Sequence, residues 1–219
     1  MAAPLTTITA LLCCLVVTGS AVADRPDRLM RKALRYFEPL PAAMPGAGND
    51  TTARIALGRK LYFDKRLSIN DTQACASCHR LDEGAAGVDN LPTSPGAEGK
   101  LGTRNSPTVL NAGWQKSQFW DGRASDLADQ AGQPILNPIE MAMPSEQAVI
   151  DKLSAIPEYV GAFAEAFPAE PAPLNYANLR EAIAAFERTL RSEARFDDYL
   201  RGDATAMNEQ EKRGLKRFM

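Results

Sequence analysis

Apolar positions along this 219-residue chain recur mainly at helical spacing. The clearest stretch runs from about Asn175 to Arg191. It sets Leu179, Ile183, Phe186 and Leu190 on one face at steps of 4, 3 and 4. Asp50 or Thr51 is placed to cap an earlier helix whose inward side is Ile55, Leu57, Leu61 and Tyr62. Ser145 to Ala155 and Glu158 to Phe167 read as two helices divided by Pro157, and Ser125 to Gln130 as a short one. Asn208 can cap a last helix from Glu209 to Met219. Asp24 to Phe37 is charged and helical in character until Pro39, Pro41, Pro45 and Gly46 turn residues 38–49 into a loop. No alternating strand pattern of any length occurs and no repeat is visible. The expected class is mostly α: a small helical domain with long irregular loops.

The non-periodic segments are informative too. Residues 64–73 read as loop, followed by a short helix with two cysteines. Residues 82–107 hold many Gly, Pro, Asp and Asn, which predicts a long ordered loop able to wrap a cofactor. The first 23 residues carry no charged side chain; Leu11 to Val17 is apolar but too short to span a bilayer, and Ala21-Val22-Ala23 follows as a small-x-small cleavage site. This predicts a signal peptide over 1–23, export to the periplasm and no stable membrane anchor. An uncleaved anchor is the alternative. A lipoprotein signal at Cys13 or Cys14 is disfavoured because Leu12 and Cys13, not small residues, precede them. With 45% apolar and 24% charged residues and a net charge of -2, the chain reads as soluble and globular, with no reason to expect a nucleic-acid partner.

Once the leader is set aside, only Cys75 and Cys78 remain. Cys75-Ala76-Ser77-Cys78-His79 is a C-x-x-C-H motif. Two thiols three positions apart on one turn reach both vinyl groups of a haem, and the next residue offers its imidazole to the iron. A thioredoxin-like motif should follow a strand in a βαβ unit, which is missing. A zinc site needs four ligands, and only two Cys and one His are on offer. His79 is the sole histidine, which excludes a Ser-His-Asp triad, multi-histidine metal sites and a bis-histidine haem built from this chain alone. The sixth iron position is then Met, another weak ligand, water or empty. An open position suits peroxide chemistry and a Met ligand suits electron transfer.

Five blocks carry a family resemblance: Leu57-Gly58-Arg59-Lys60-Leu61-Tyr62-Phe63-Asp64, the C-x-x-C-H motif, Gly102-Thr103-Arg104-Asn105-Ser106-Pro107-Thr108-Val109-Leu110-Asn111, Phe119-Trp120-Asp121-Gly122-Arg123-Ala124, and Asn137-Pro138-Ile139-Glu140-Met141. In this order the chain resembles the bacterial di-haem cytochrome c peroxidases, MauG-type enzymes included, over nearly all of the exported part. The resemblance implies a cytochrome c-like domain at 51–200 with the peroxidatic haem c, preceded by a helix and arm at 24–50. It makes Glu140 the distal carboxylate, Gln130 a distal-pocket glutamine, Trp120 an indole between two haems and Asn105 a calcium ligand. The implied partners are hydrogen peroxide and a small cytochrome c or cupredoxin as donor; a homodimer is compatible with it. Ser94 to Lys100 lacks the removable distal histidine of members needing reductive activation. Residues 201–219 resemble the start of a second cytochrome c domain, whose haem motif the chain lacks, so a fragment is expected.

Each assignment has a plainer counterpart. Glu140 in a haem pocket would be partly desolvated, which raises a carboxyl toward the range useful for moving a proton between peroxide oxygens; otherwise it is a surface or capping Glu. Trp120 is read as a buried core aromatic that also suits electron relay, and Trp114 as core alone. Asn105 equally suits a turn before Pro107. Arg104 and Arg123 meet haem propionates or pair with acids such as Asp121. Met141 and Met143 are core filler or, in an electron carrier, an iron ligand.

Overall fold

The computed structural model describes residues 27–82 and 84–219; the leader expected at 1–23 lies outside them. Among the described residues there are helices and two isolated β-bridges, Pro95 with Leu101 and Gln118 with Ala124. They form two compact units, one of residues 40–194 and one of residues up to 39 together with 195–219.

In the larger unit, α2 (Thr52–Tyr62), α4 (Leu127–Leu136), α5 (Glu146–Ser154), α6 (Pro157–Ala166) and α7 (Tyr176–Glu187) enclose one core. Side-chain caps set their starts. Thr51, Asp126, Ser145 and Asn175 each accept from a backbone N–H in the first turn of α2, α4, α5 and α7, and Pro157 occupies the first turn of α6. The inward residues are largely those the spacing predicts: Leu57, Leu61, Tyr62, Leu179, Ile183 and Phe186 are buried, whereas Ile55 and Leu190 are only half-buried. Helix α7 is the central element. It crosses α2 so closely that a Cβ on Gly58 would lie 1.8 Å from the Ala182 carbonyl oxygen, so only glycine permits this approach. On its other side, Tyr176 Oη donates to Gly132 O (2.6 Å) and Arg180 Nε to Ala128 O (2.7 Å), which fixes α4.

Two helices of this unit depart from the sequence expectation. Helix α4 begins at Leu127 and runs past Gln130 to Leu136; Pro134 interrupts it little, because a proline in the last turn removes only the bond to the Gln130 carbonyl. Helix α7 ends at Glu187 rather than Arg191. Leu190 N still donates to Glu187 O, but the Leu190 carbonyl turns away to accept from Asn111 N (2.9 Å). The long loop at 82–107 is present without helix, as expected, and is held by Gly96 N to Lys100 O and by a 2.7 Å bond between Ser94 Oγ and Ser106 Oγ.

In the smaller unit, α1 (Arg28–Ala33), α8 (Arg195–Leu200) and α9 (Glu209–Phe218) bury Met30, Ala33, Tyr199, Leu200 and Leu215. Helix α1 is shorter than the charged stretch suggested: Asp27 caps it, and after Ala33 the backbone tightens into turns before Pro39. Helix α8 has no counterpart in the sequence reading. Asn208 caps α9 with Glu211 in a reciprocal box, as its position implied.

Candidate functional site

Helix α3 (Cys75–Cys78) is a single turn, and Ser77 Oγ closes it by accepting from Ala74 N (3.0 Å). Both thiols are free, and with His79 they line one cavity of about 320 Å³ within the larger unit. His79 follows at the turn's end, where Tyr62 Oη donates to its carbonyl (2.7 Å) and so anchors the motif to α2. His79 Nδ1 lies 3.0 Å from the Pro107 carbonyl. Donation there leaves Nε2 free to bind a metal. Burial, the larger influence, pulls His79 below the ordinary histidine value, against hydrogen bonding at Pro107 and Gly87, and so favours the neutral, ligating imidazole. Burial also pushes the Cys75 thiol up to about 12.

Part of the cavity wall comes from α4 and the turn after it. Helix α4 contributes Gln130, Ala131 and Pro134, and the turn contributes Asn137, Glu140 and Met141. This turn is hydrogen-bonded back onto the helix it leaves: Glu140 N donates to Asn137 O (3.0 Å), Met141 N to Pro134 O (3.2 Å) and Met143 N to Ile135 O (2.9 Å). The long loop braces it from outside. Ala97 N donates to Glu140 O (2.7 Å), and Gly96 sits so close that a Cβ there would be 1.8 Å from Ile139 O. Burial raises the Glu140 carboxyl, the larger effect; the Asn137 amide (2.8 Å to Oε1) and the Arg123 charge oppose it.

Trp120 corrects the expectation of a buried indole. It lines the cavity but is 60% exposed, held by donation from Nε1 to the Asn105 carbonyl (2.9 Å). Its neighbour Phe119 adopts a left-handed turn conformation, φ 66°. Asn105 is exposed and serves here through its backbone. Arg104 and Arg123 both pair with Asp121, at 3.6 and 2.9 Å, and Arg123 also lies over the Phe119 ring at 3.4 Å. Trp114 is half-buried on the turn Ala112–Trp114. Met141 and Met143 are both core residues, and Met141 also lines the cavity.

The structure thus brings Cys75, Cys78, His79, Gln130, Glu140, Trp120 and Asn105 around one space. It adds Glu187, which the sequence reading missed. Glu187 is four residues beyond Ile183 on the inward face of α7, a signal that was legible in the spacing.

Paired thiols on one turn, a neutral imidazole beside them and a partly open, largely apolar cavity suit a covalently attached haem. The chain is a haem c protein. It belongs to the di-haem cytochrome c peroxidase family, whose model matches residues 52–205. It is 44% identical to cytochrome c551 peroxidase of Pseudomonas aeruginosa over 94% of this chain and 59% of that protein. It is 38% identical to the methylamine utilization protein MauG of Methylorubrum extorquens over 94% of this chain and 57% of that one. The crystal structure of a MauG-like protein associated with microbial copper homeostasis superimposes with TM-score 0.73 at 32% identity, covering 84% of this chain and 53% of that one. The chain therefore spans a little over half the length of these relatives. No helix among the described residues is long and apolar enough to cross a membrane.

Proposed function

We propose that the larger unit is a peroxidatic haem domain that reduces hydrogen peroxide to water, in the periplasm, with electrons from a small cytochrome c or cupredoxin. Cys75 and Cys78 would hold one haem c by thioether links and His79 Nε2 would ligate its iron; the bound haem would supply the electron-transfer and O–O cleavage chemistry. The observation that carries the reading is the position of Glu140, an acid raised by burial and fixed by Asn137 in the cavity that His79 also lines.

Glu140 takes the proton from one peroxide oxygen and returns it to the departing one, a contribution of about 100- to 10,000-fold in rate. Gln130, from the same wall, orients the peroxide by hydrogen bonding. Trp120 at the cavity mouth relays electrons from a second haem in the whole protein to this one, and Asn105 contributes to a calcium site completed there. Residues 201–219 begin the domain of that second haem. The name cytochrome c551 peroxidase carried by the Pseudomonas aeruginosa relative supports peroxide as substrate.

A second reading is a methionine-ligated electron carrier, favoured by Met141 lining the same cavity. Haem-loaded chain, produced with a cytochrome c maturation system, separates the two. The peroxidase reading expects haem that resists acid–acetone extraction, a high-spin ferric spectrum, and prompt reaction with one equivalent of peroxide. A low-spin spectrum that Met141→Ala converts to high-spin would refute it in favour of the carrier. Absence of a Soret band would refute both.

A further inference from the structure

Glu187 closes helix α7 inside the haem cavity at 6% exposure, and its Oε2 has no hydrogen-bond partner. An unpartnered buried carboxyl is expensive, more so if ionised. Nothing nearby neutralises it. The adjacent cation, Arg188, faces the other way, with Nε and Nη2 on the two Asp50 oxygens at 2.6 and 2.7 Å and Glu181 3.9 Å from Nη2. From α2 the facing titratable group is Tyr62, whose hydroxyl is committed to the His79 carbonyl. From α3 it is Cys75, which does not titrate once it is a thioether. The other charged residues among those lining the cavity include Glu140, bonded to Asn137, and Arg123, paired with Asp121.

We propose that Glu187 is a redox-linked proton site: it takes up one proton from solvent for each electron that reduces the iron, and releases it on oxidation. This rests on the haem reading above. The step balances. The electron comes from the donor protein or an electrode mediator, the proton from water, and the net charge of the cavity is unchanged as Fe(III) with a carboxylate becomes Fe(II) with a carboxylic acid. Burial, only weakly opposed by Arg188, pushes the Glu187 carboxyl up to about 8, which puts the exchange in reach of neutral pH. Coupling is reciprocal, so the electron's effect on the proton equals the proton's effect on the potential.

The test is the midpoint potential of the haem-loaded chain, followed spectroelectrochemically from about pH 6 to about pH 9.5, for wild type and Glu187→Gln. Wild type should show a pH window in which the reduction equilibrium falls tenfold per pH unit, about 59 mV for a one-electron couple. Glu187→Gln should be flat through that window. Equal slopes in the two proteins overturn the proposal, as does a wild type without slope. Should Glu187→Gln not load haem, the redox-difference infrared spectrum of wild type decides: a protonated carboxyl band that appears on reduction and shifts in D2O supports Glu187, and its absence refutes it. Loss of the haem reading looks different, since the wild-type chain then shows no Soret band and no couple at all.

Discussion

Replacing Gly96 by alanine tests the link between the long loop and the acid-bearing turn. The added Cβ would stand 1.8 Å from Ile139 O, 2.7 Å from Ile139 C and 2.8 Å from Glu140 O. All three are backbone atoms, so no rotamer relieves the clash. Loop and turn must part by roughly 1.2 Å to reach the shortest tolerable contact of 3.0 Å. Overpacking of this kind destabilises by about 1–3 kcal/mol, and losing the 2.7 Å bond from Ala97 N to Glu140 O adds about 1 kcal/mol. For a unit of this size that lowers Tm by on the order of 10 °C. A displacement of about 1 Å at Glu140 should also slow the peroxide reaction about 100-fold. The control is Gly161→Ala in the exposed middle of α6, where no atom lies within 4 Å; it should gain about 0.5–1 kcal/mol. Thermal melts of haem-loaded chain and stopped-flow mixing with peroxide give both numbers. If Gly96→Ala melts with wild type and reacts at the same rate, the loop does not brace Glu140 and the reasoning is wrong.

Asp50→Ala leaves Arg188 buried without its bidentate partner and should cost about 3–5 kcal/mol, read as a Tm drop on the order of 10 °C. Glu140→Gln should slow peroxide reduction about 100- to 10,000-fold with haem loading unchanged. In wild type that rate should fall as pH drops through a carboxyl value above the ordinary range, because Glu140 acts as its base form, and the fall should vanish in the Gln variant. Glu187 binds its proton more tightly folded than unfolded. The stability it contributes is therefore complete below about 4.5 and lost as pH rises from there to about 8. Melts of ferric haem-loaded chain across that range should show this loss in wild type and not in Glu187→Gln.

Periodicity found the helices whose apolar face meets the core, because burial and spacing there carry the same information. Thr51 and Asn208 cap where their side chains suggested. Helix α4 was read six residues short at its end: it continues through Pro134, which in a last turn removes only one bond. Trp120 was read as core from its residue type alone. Its exposure follows from a long-range contact, the Asn105 carbonyl fifteen positions away, which no local pattern encodes. The α2–α7 crossing was hidden for a like reason: Gly58 looks like a helix weakness until Ala182 is placed against it.

The two acids of the cavity show why residue type alone does not assign a role. Glu140 sits on a turn, bonded to Asn137 and within reach of the Arg123 charge, so burial raises it while polar neighbours keep it able to ionise. Glu187 ends a helix among apolar residues, and its adjacent cation is spent on Asp50, so burial acts on it almost unopposed. One environment suits an acid that must cycle within a turnover, the other an acid that holds its proton until the charge in the cavity changes. The C-x-x-C-H motif announces the first kind of chemistry. The second depends on Arg188 turning outward to Asp50, a choice made 138 residues away in sequence.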